Sequence, residues 1–336
     1  MVRAVWRRII EDASIKRSSQ TVTVLAQDVY LYGGELRPRE PVDSAVHRLS
    51  VDQTAEISDN SISQITGLTN TPQPRVGAAS TALNGKIYVF SGRGGIALTP
   101  IEEYGAFWVF DPSGNWSQIK PTDSESPYPA GRSYHALTNN GGDTIFLHAG
   151  CPEKGRLRDL WAFDITTRTW TELPRAPGPE RGGPSIAYSE GKIYRMNGFD
   201  GNTEQGGALD VFDLDKHEWS TITYPADGIK GPAARSVSCL LALEIDSKPS
   251  LVTMFGEHDP SSLGHQGAGK MLSDVWVFDI KSQQWTQMDV DSENAPPPRG
   301  WFDADVIVKG TASGIVVHGG LAESNERLGD VWLLDF

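Results

Sequence analysis

Three sequence landmarks recur six times in the same order along this chain, and this repeat restricts the fold more than any other feature. Each unit opens with an arginine, continues with an apolar strand that ends in glycine, and then has a second apolar or aromatic strand that ends in aspartate. The opening arginines are spaced by 49 to 64 residues, and no helical period persists between them. These arginines are Arg17, Arg75, Arg132, Arg181, Arg235 and Arg299. The strand-ending glycines are Gly34, Gly92, Gly150, Gly198, Gly256 and Gly320, and the strand-ending aspartates are Asp52, Asp111, Asp164, Asp213, Asp279 and Asp335.

A fourth landmark, a tryptophan a few residues after the aspartate, indicates how the repeat closes. The last unit has no room for a fourth strand after Asp335, whereas Trp6 lies in an apolar stretch at the other end of the chain. Four strands per unit, repeated six times, predict an all-β, six-bladed propeller whose last blade is closed by an N-terminal strand around Trp6. We expect one propeller over residues 1–336. The other positions of this landmark are Ile65, which replaces tryptophan in the first unit, Trp116, Trp170, Trp219 and Trp285.

Charge and cysteine content restrict the class of function. The net charge is -13 and the sequence has no strong basic patch, so a nucleic-acid partner is not expected. The two cysteines, Cys151 and Cys239, lie far apart and fit a reducing compartment. The sequence has neither an apolar run of signal-peptide length nor the roughly 20 apolar residues that span a bilayer. We therefore expect a soluble cytoplasmic protein with no membrane partner.

The paired glycines after the second strand, the DVWxFD strand and the later tryptophan resemble the Kelch repeat. The resemblance extends over almost all of residues 1–336, and it implies a Kelch β-propeller. These repeated residues are expected to build the blades, since tryptophan buries a large area and glycine permits turns with positive φ. The residues that do not repeat must therefore carry any specific function.

Three segments that are more specific than the Kelch pattern resemble the plant specifier proteins, that is, the nitrile-specifier, epithiospecifier and thiocyanate-forming proteins. These segments are GEHDPSSLGHQGAGKMLSD (256–274), PPPRGW (296–301) and HGGLAESNER (318–327). The resemblance implies an Fe(II)-dependent protein that redirects the breakdown of a reactive metabolite. It also implies that Arg93, in SGRGG, contacts the sulfate of the substrate.

The iron ligands of that family follow the pattern E-x3-D-x3-H, which this chain matches in part. The matching positions are Glu257, Ser261 and His265, so serine replaces the aspartate of the pattern. Asp259 lies two residues earlier and could complete the site, because two oxygens and an imidazole suit non-haem Fe(II). These groups could also move protons in catalysis. The alternative interpretation is a solvated loop in which Asp and Ser form turns.

Further candidates are expected at the mouth of the propeller, where the loops after the second strand and the opening arginines should meet. Arg132 with Tyr134, and Arg299 with Trp301, could bind a small anionic or planar ligand, and packing between blades is the alternative. His135, next to Tyr134, could bind such a ligand in the same way, with packing between blades as the alternative. His148 and His318 are expected to be packed histidines, with an acid or base role as the alternative.

The sequence thus favours a small-molecule lyase or isomerase that acts at the propeller mouth without an organic cofactor. The expected catalytic residues are Glu257, Asp259 and His265. The same three residues are the candidate metal ligands, with Fe(II) as the cofactor. A non-catalytic Kelch module that binds a protein partner is the alternative. An adaptor needs a second surface, and because we expect the propeller to fill the chain, the enzyme is favoured.

Overall fold

The computed structural model describes residues 4–51, 62–66, 68, 70–290, 294–310 and 312–336. Apart from two short 3-10 turns at Ala13–Ile15 and Gly264–Gln266, the regular structure of the described residues is β-sheet, and no helix among them is long and apolar enough to cross a membrane. The strands are β1 (Val5–Glu11), β2 (Ser18–Leu25), β3 (Asp28–Arg37), β4 (Glu40–Pro41), β5 (Val46–Ser50), β6 (Ile62–Ile65), β7 (Ala79–Leu83), β8 (Lys86–Phe90), β9 (Arg93–Gly94), β10 (Thr99–Pro100), β11 (Phe107–Asp111), β12 (Asn115–Ile119), β13 (Ala136–Asn139), β14 (Thr144–Gly150), β15 (Leu157–Asp164), β16 (Thr169–Leu173), β17 (Ser185–Ser189), β18 (Lys192–Met196), β19 (Ala208–Asp213), β20 (Glu218–Thr223), β21 (Leu241–Ile245), β22 (Lys248–Met254), β23 (Glu257–His258), β24 (Lys270–Met271), β25 (Val275–Asp279), β26 (Gln284–Gln287), β27 (Asp303–Lys309), β28 (Ala312–His318) and β29 (Asp330–Asp335).

The long strands form six antiparallel sheets, which are the six blades of a propeller. Blade one contains β2, β3, β5 and β6, and blade two contains β7, β8, β11 and β12. Blades three and four contain β13 to β16 and β17 to β20, blade five contains β21, β22, β25 and β26, and blade six contains β27, β28, β29 and β1. The predicted all-β, six-bladed fold is therefore confirmed. Asp52, which ends the third landmark of blade one in the sequence, lies outside the described residues.

Strand β1 closes blade six, as the position of Trp6 predicts. It pairs antiparallel with β29, with Trp6 opposite Leu334 and Val5 opposite Asp335. The indole of Trp6 is buried and stacks on Phe255 of blade five, with ring centroids 5.8 Å apart. Strands from the two ends of the described chain therefore belong to one hydrogen-bonded sheet, and their backbone hydrogen bonds hold the ring of blades closed.

The repeated tryptophans pack each blade against the preceding one. Trp170 of blade three lies 4.8 Å from Phe163 of its own blade and stacks on Phe107 of blade two at 5.5 Å, measured between ring centroids. Trp116 likewise lies 5.1 Å from Tyr32 of blade one. Such aromatic pairs contribute about 0.5–1.5 kcal/mol beyond their buried area. The fourth landmark is thus part of the core between blades.

The opening arginines are buried inside the blades, which corrects the interpretation of two of them as substrate-binding residues. Arg132 is 2% exposed, and its guanidinium donates to Asp159 at 2.7 Å and to the carbonyl of Ala149 at 3.1 Å. Arg299 is fully buried and donates to both carboxylate oxygens of Asp330 at 2.7 Å. Each of these arginines joins the segment before the first strand of its blade to the third strand, which carries the aspartate. Neither guanidinium can reach a ligand at the mouth.

Candidate functional site

Six residues, one from each blade, form a closed ring of backbone hydrogen bonds around the propeller axis. Each N–H donates to the carbonyl of the equivalent residue in the preceding blade, over 2.7 to 3.1 Å. All six have positive φ between 46° and 62°, and in each case the residue lies two positions after the opening arginine. We call this ring the neck, and it separates the mouth from the channel inside the propeller. The neck residues are Ser19, Gly77, Tyr134, Gly183, Val237 and Trp301.

The first strands of the blades enclose a channel cavity of about 360 Å³ on one side of the neck. Its lining includes two carboxylates, Asp303 and Asp305, on β27. Their Oδ2 atoms accept hydrogen bonds from the backbone N–H groups of Val22, at 2.7 Å, and Val24, at 2.8 Å. Burial raises the pKa of Asp303 to about 7 and that of Asp305 to about 6. These carboxylates join blade six to blade one, where the ring of blades closes.

Two cavities of about 190 Å³ each lie on the other side of the neck, in the mouth. The Arg93 cavity is lined by Arg93, Leu98, Glu35 and Arg327, among others. The Glu257 cavity is lined by Glu257, Arg156, Phe199, Pro260 and Ser261, among others. Both cavities are also bordered by Tyr134, Cys151 and Trp301, so they are neighbouring parts of one mouth.

Arg93 lies in the mouth, where the sequence resemblance places it. Its guanidinium donates to Ser133 Oγ at 2.8 Å and to the carbonyl oxygens of Pro152, at 2.6 Å, and Leu98, at 3.3 Å. Within the described part of the chain it forms no ion pair with a carboxylate. Neutral acceptors therefore fix the orientation of this guanidinium and leave its charge uncompensated.

Arg156 is a mouth residue that the sequence alone did not reveal. Its guanidinium carbon lies 5.0 Å from the centroid of the Phe199 ring, and its Nε is buried without a hydrogen-bond partner. Among the described residues no carboxylate lies within ion-pair distance of it. The loop of blade three that carries it has several basic residues, and nothing in their spacing distinguishes Arg156 from Arg158. Two guanidiniums without a carboxylate partner in one mouth suit an anionic ligand.

Glu257 presents a buried carboxyl to the mouth. It is 5% exposed, and its Oε1 accepts a hydrogen bond from the backbone N–H of Gly269 at 2.8 Å. Burial, with a smaller contribution from the nearby carboxylate of Glu204, raises the pKa of Glu257 to about 7. The group can therefore hold or release a proton near neutral pH. Burial likewise raises the pKa of the Cys151 thiol, which stays protonated.

The other candidate ligands of the blade-five loop are only partly brought together. Ser261 lines the Glu257 cavity, and its Oγ accepts a hydrogen bond from the backbone N–H of Leu263. The Asp259 side chain is 80% exposed, lies 3.5 Å from Nδ1 of His258 and is not among the residues that line the cavity. His265 lies in a short 3-10 turn, and its side chain is outside the described atoms. Among the side chains that the structure describes, no three histidine, cysteine or acidic residues are grouped to hold a metal ion.

The candidate histidines are packed among the blades rather than facing the mouth cavities. His148 and His318 are fully buried, and burial lowers the pKa of both, that of His318 to about 3. His148 Nδ1 lies 2.7 Å from the carbonyl oxygen of Asp159, and its Nε2 accepts a hydrogen bond from Arg195. His135 packs edge-on against Phe90, with ring centroids 5.6 Å apart. These contacts favour the packing interpretation.

Comparison with known proteins connects the chain to one domain family and to several proteins. The family model of the KLHDC2/KLHL20/DRC7 Kelch-repeats domain matches residues 19–256. An N-(sulfonatooxy)prop-2-enimidothioate sulfolyase from Thlaspi arvense is 24% identical over 94% of this chain and 91% of the relative. An F-box/kelch-repeat protein of Arabidopsis thaliana is 25% identical over 79% of this chain but only 55% of its own length. The solved structure of YjhT superposes with a TM-score of 0.71 over 96% of both chains at 15% identity, which supports the fold alone.

Proposed function

The chain belongs to the Kelch-repeat family, and we propose that it is a lyase or isomerase whose mouth binds a small molecule with an anionic group such as a sulfate. The observation that carries this proposal is the pair Arg93 and Arg156. Both guanidiniums border the mouth cavities, and neither has a carboxylate partner among the described residues. Removing such charges from water costs free energy, which a bound anion offsets.

The proposed substrate class is an organic sulfate, since the relative from Thlaspi arvense is named a sulfolyase. When sulfate is eliminated, the electron pair of the bond to the bridging oxygen leaves with the sulfate. Arg93 and Arg156 would stabilise the negative charge that develops there. Glu257, as a carboxylate, would accept a proton from the remaining part of the substrate, and the electron pair of that bond would form the new multiple bond. Tyr134 and Trp301 would contact that part, because they border both mouth cavities.

Calorimetric titration with inorganic sulfate and methyl sulfate tests the anion site. Arg156→Gln should weaken binding by about tenfold or more, because a hydrogen bond to a charged group contributes about 1.5–3 kcal/mol. Arg158→Gln is the matched control, since Arg158 lies in the same loop, is exposed and donates to the carbonyl of Gly178. If the wild-type protein binds neither anion, or if both variants bind as well as the wild type, the anion site is wrong. Release of sulfate from the sulfated imidothioate named for the relative, compared between the wild type and Glu257→Gln, then tests the reaction.

A ferrous ion held by the blade-five loop is a separate and finer proposal. Glu257 and Ser261 already contribute oxygen atoms to one cavity, and the backbone turn at His265 follows directly. In such a site Fe(II) would supply Lewis-acid or redox chemistry. The hydroxyl of Ser261 is a weak ligand for Fe(II), so the proposal requires Glu257 and His265 with Asp259 as the third ligand.

Metal content after anaerobic purification with ferrous iron tests this proposal without any substrate. Iron should be lost in Glu257→Gln and in His265→Ala, and Ser261→Asp should retain more iron than the wild type. Glu153→Gln is the control, because Glu153 is an exposed glutamate of the blade-three loop and does not line the Glu257 cavity. Equal iron in all these proteins, or none in any of them, contradicts the iron site.

A protein-binding module is the second candidate function, because the loops around the mouth expose apolar side chains. Ile96 is fully exposed, and Leu263 and Tyr104 are 71% and 70% exposed. Exposed apolar residues on rigid loops suit the recognition of another protein. This candidate predicts no sulfate binding, so the calorimetric titration distinguishes it from the enzyme. A cytoplasmic location belongs to both proposals, since Cys151 and Cys239 are free thiols.

A further inference from the structure

The side chain of Tyr134 extends across three neighbouring positions of the neck. Its ring lies against Gly77, where a Cβ atom would be only 3.1 Å from the ring carbons. Its hydroxyl shares a hydrogen bond of 3.4 Å with Ser19 Oγ. Tyr134 therefore reaches from blade three over blade two to blade one, and the glycine of blade two provides the space for it.

Trp301 occupies the equivalent position in blade six and borders the same spaces. Tyr134 and Trp301 each line the channel cavity and both mouth cavities. Residues that line the cavities on both sides of the neck form the wall between them. The backbone hydrogen bonds of the neck fix the main chain of both residues, from Tyr134 N to Gly77 O at 2.7 Å and from Trp301 N to Val237 O at 3.1 Å. We call the wall formed by the side chains of Tyr134 and Trp301 the partition, and the hydrogen bonds of the neck hold its backbone in place.

We infer that Tyr134 determines specificity by setting the depth of the ligand site, so that the mouth accepts only anions whose remaining part fits above the neck. This inference rests on the proposed function, because it concerns a ligand that Arg93 or Arg156 holds in the mouth. Each mouth cavity measures about 190 Å³, whereas the channel beyond the partition measures about 360 Å³. Removing the phenol ring would join the mouth cavities to the channel cavity. A longer ligand could then extend through the neck into the channel.

A series of linear alkyl sulfates from methyl to octyl measures this depth limit by calorimetric titration. For the wild type the affinity should rise with the first added methylenes and then fall, because each buried methylene is favourable until the chain meets the partition. Tyr134→Ala should bind octyl sulfate on the order of tenfold more tightly than the wild type, from the additional methylenes that it buries. Its affinity for methyl sulfate should not rise, so the ratio of the octyl to the methyl sulfate affinity measures the depth limit.

Two further variants separate the partition from a general loss of structure. Tyr134→Phe keeps the ring and removes the hydroxyl that contacts Ser19, so its length limit should match that of the wild type. Gly77→Ala places a methyl group against the ring and should displace it, so its length limit should shift towards that of Tyr134→Ala. If short sulfates bind but Tyr134→Ala has the same length limit as the wild type, the inference is wrong.

A crystal structure of Tyr134→Ala tests the partition even if no alkyl sulfate binds. Failure of methyl sulfate to bind the wild type would contradict the proposed anion site, not the partition. Continuous solvent density from the mouth through the neck into the channel would support the partition. If Trp301 or the neck backbone moves to close the opening in Tyr134→Ala, Tyr134 does not set the depth and the inference is overturned.

Discussion

Arg156 lies over the face of Phe199, with 5.0 Å between the guanidinium carbon and the ring centroid. Phe199 belongs to blade four and Arg156 to the loop of blade three, so the contact joins two blades at the mouth. The aromatic face offsets part of the cost of burying the charge without consuming its hydrogen-bond donors. The donors of Arg156 therefore remain available to a ligand.

The first prediction follows from this contact. Phe199→Leu removes the aromatic face, and sulfate binding should weaken about two- to fivefold, since such a contact contributes about 0.5–1 kcal/mol. Calorimetric titration measures the change. Tyr104→Leu is the control, because Tyr104 is an exposed aromatic residue of another mouth loop. Equal losses in the two variants would contradict a specific role of Phe199.

A second prediction separates the buried arginines from those in the mouth. Arg132→Gln leaves Asp159 buried without its ion-pair partner, so the free energy of unfolding should fall by about 3–5 kcal/mol. Sulfate affinity of the folded variant should stay at the wild-type value, because Arg132 does not line the mouth cavities. Urea denaturation and calorimetric titration measure these two quantities. A folded Arg132→Gln variant with normal stability and lost sulfate binding would restore Arg132 as a ligand-binding residue.

The third prediction concerns the closure of the ring by the N-terminal strand. Trp6 is 4% exposed against blade five, so Trp6→Ala should lower the free energy of unfolding by about 3–5 kcal/mol. The neighbouring side chain of Val5 is 58% exposed, and Val5→Ala should change the free energy of unfolding by less than about 0.5 kcal/mol. Thermal and urea denaturation provide the comparison. Similar stability of the two variants would show that β1 contributes little to closure.

The fourth prediction is a dependence of stability on pH. Burial raises the pKa of Asp303 to about 7, so between about pH 4 and pH 7 the folded protein binds more protons than the unfolded chain. The contribution of this residue is thus fully present below about pH 4 and is lost as the pH rises to about 7. Relative to Asp303→Asn, the wild type should lose about 3–4 kcal/mol over that range, since each unit of pKa difference corresponds to about 1.4 kcal/mol. Urea denaturation at several pH values measures the difference, and a constant difference would contradict the raised pKa.

The repeat made much of the scaffold predictable from the sequence. Trp170 and Trp6 could be assigned to the core, because each blade uses the same aromatic contact with the blade before it. The aspartates that end the third strands also follow this logic. Asp164, for example, accepts hydrogen bonds from the backbone N–H groups of Thr166 and Thr167 in the turn to β16. Local contacts repeated in every blade leave a periodic pattern that can be recognised without coordinates.

Arg132 and Arg299 follow the same periodicity, which favours a structural role over ligand binding. They recur in every unit, and the residues that recur hold the blade together, whereas Arg93 and Arg156 are not part of the repeat. Both kinds of arginine carry the same charged group, so the sequence alone does not show which guanidiniums have a carboxylate partner. The contacts in the folded protein distinguish the two kinds of arginine. The Arg132 guanidinium pairs with the carboxylate of Asp159, whereas the Arg156 guanidinium lies over the ring of Phe199.

The sequence by itself therefore determined the six blades, their strand order and the closing strand, because these depend on contacts that repeat at regular spacing. Tertiary structure alone decided which side chains share the mouth. Arg93, Arg156 and Glu257 are separated by many tens of residues, and they meet only because the closed ring brings one loop of each blade to the same end of the axis. The neck could not be predicted from the sequence either. Its six hydrogen bonds join backbone groups of different blades, and its side chains range from glycine to tryptophan, so they share no residue type that marks the position.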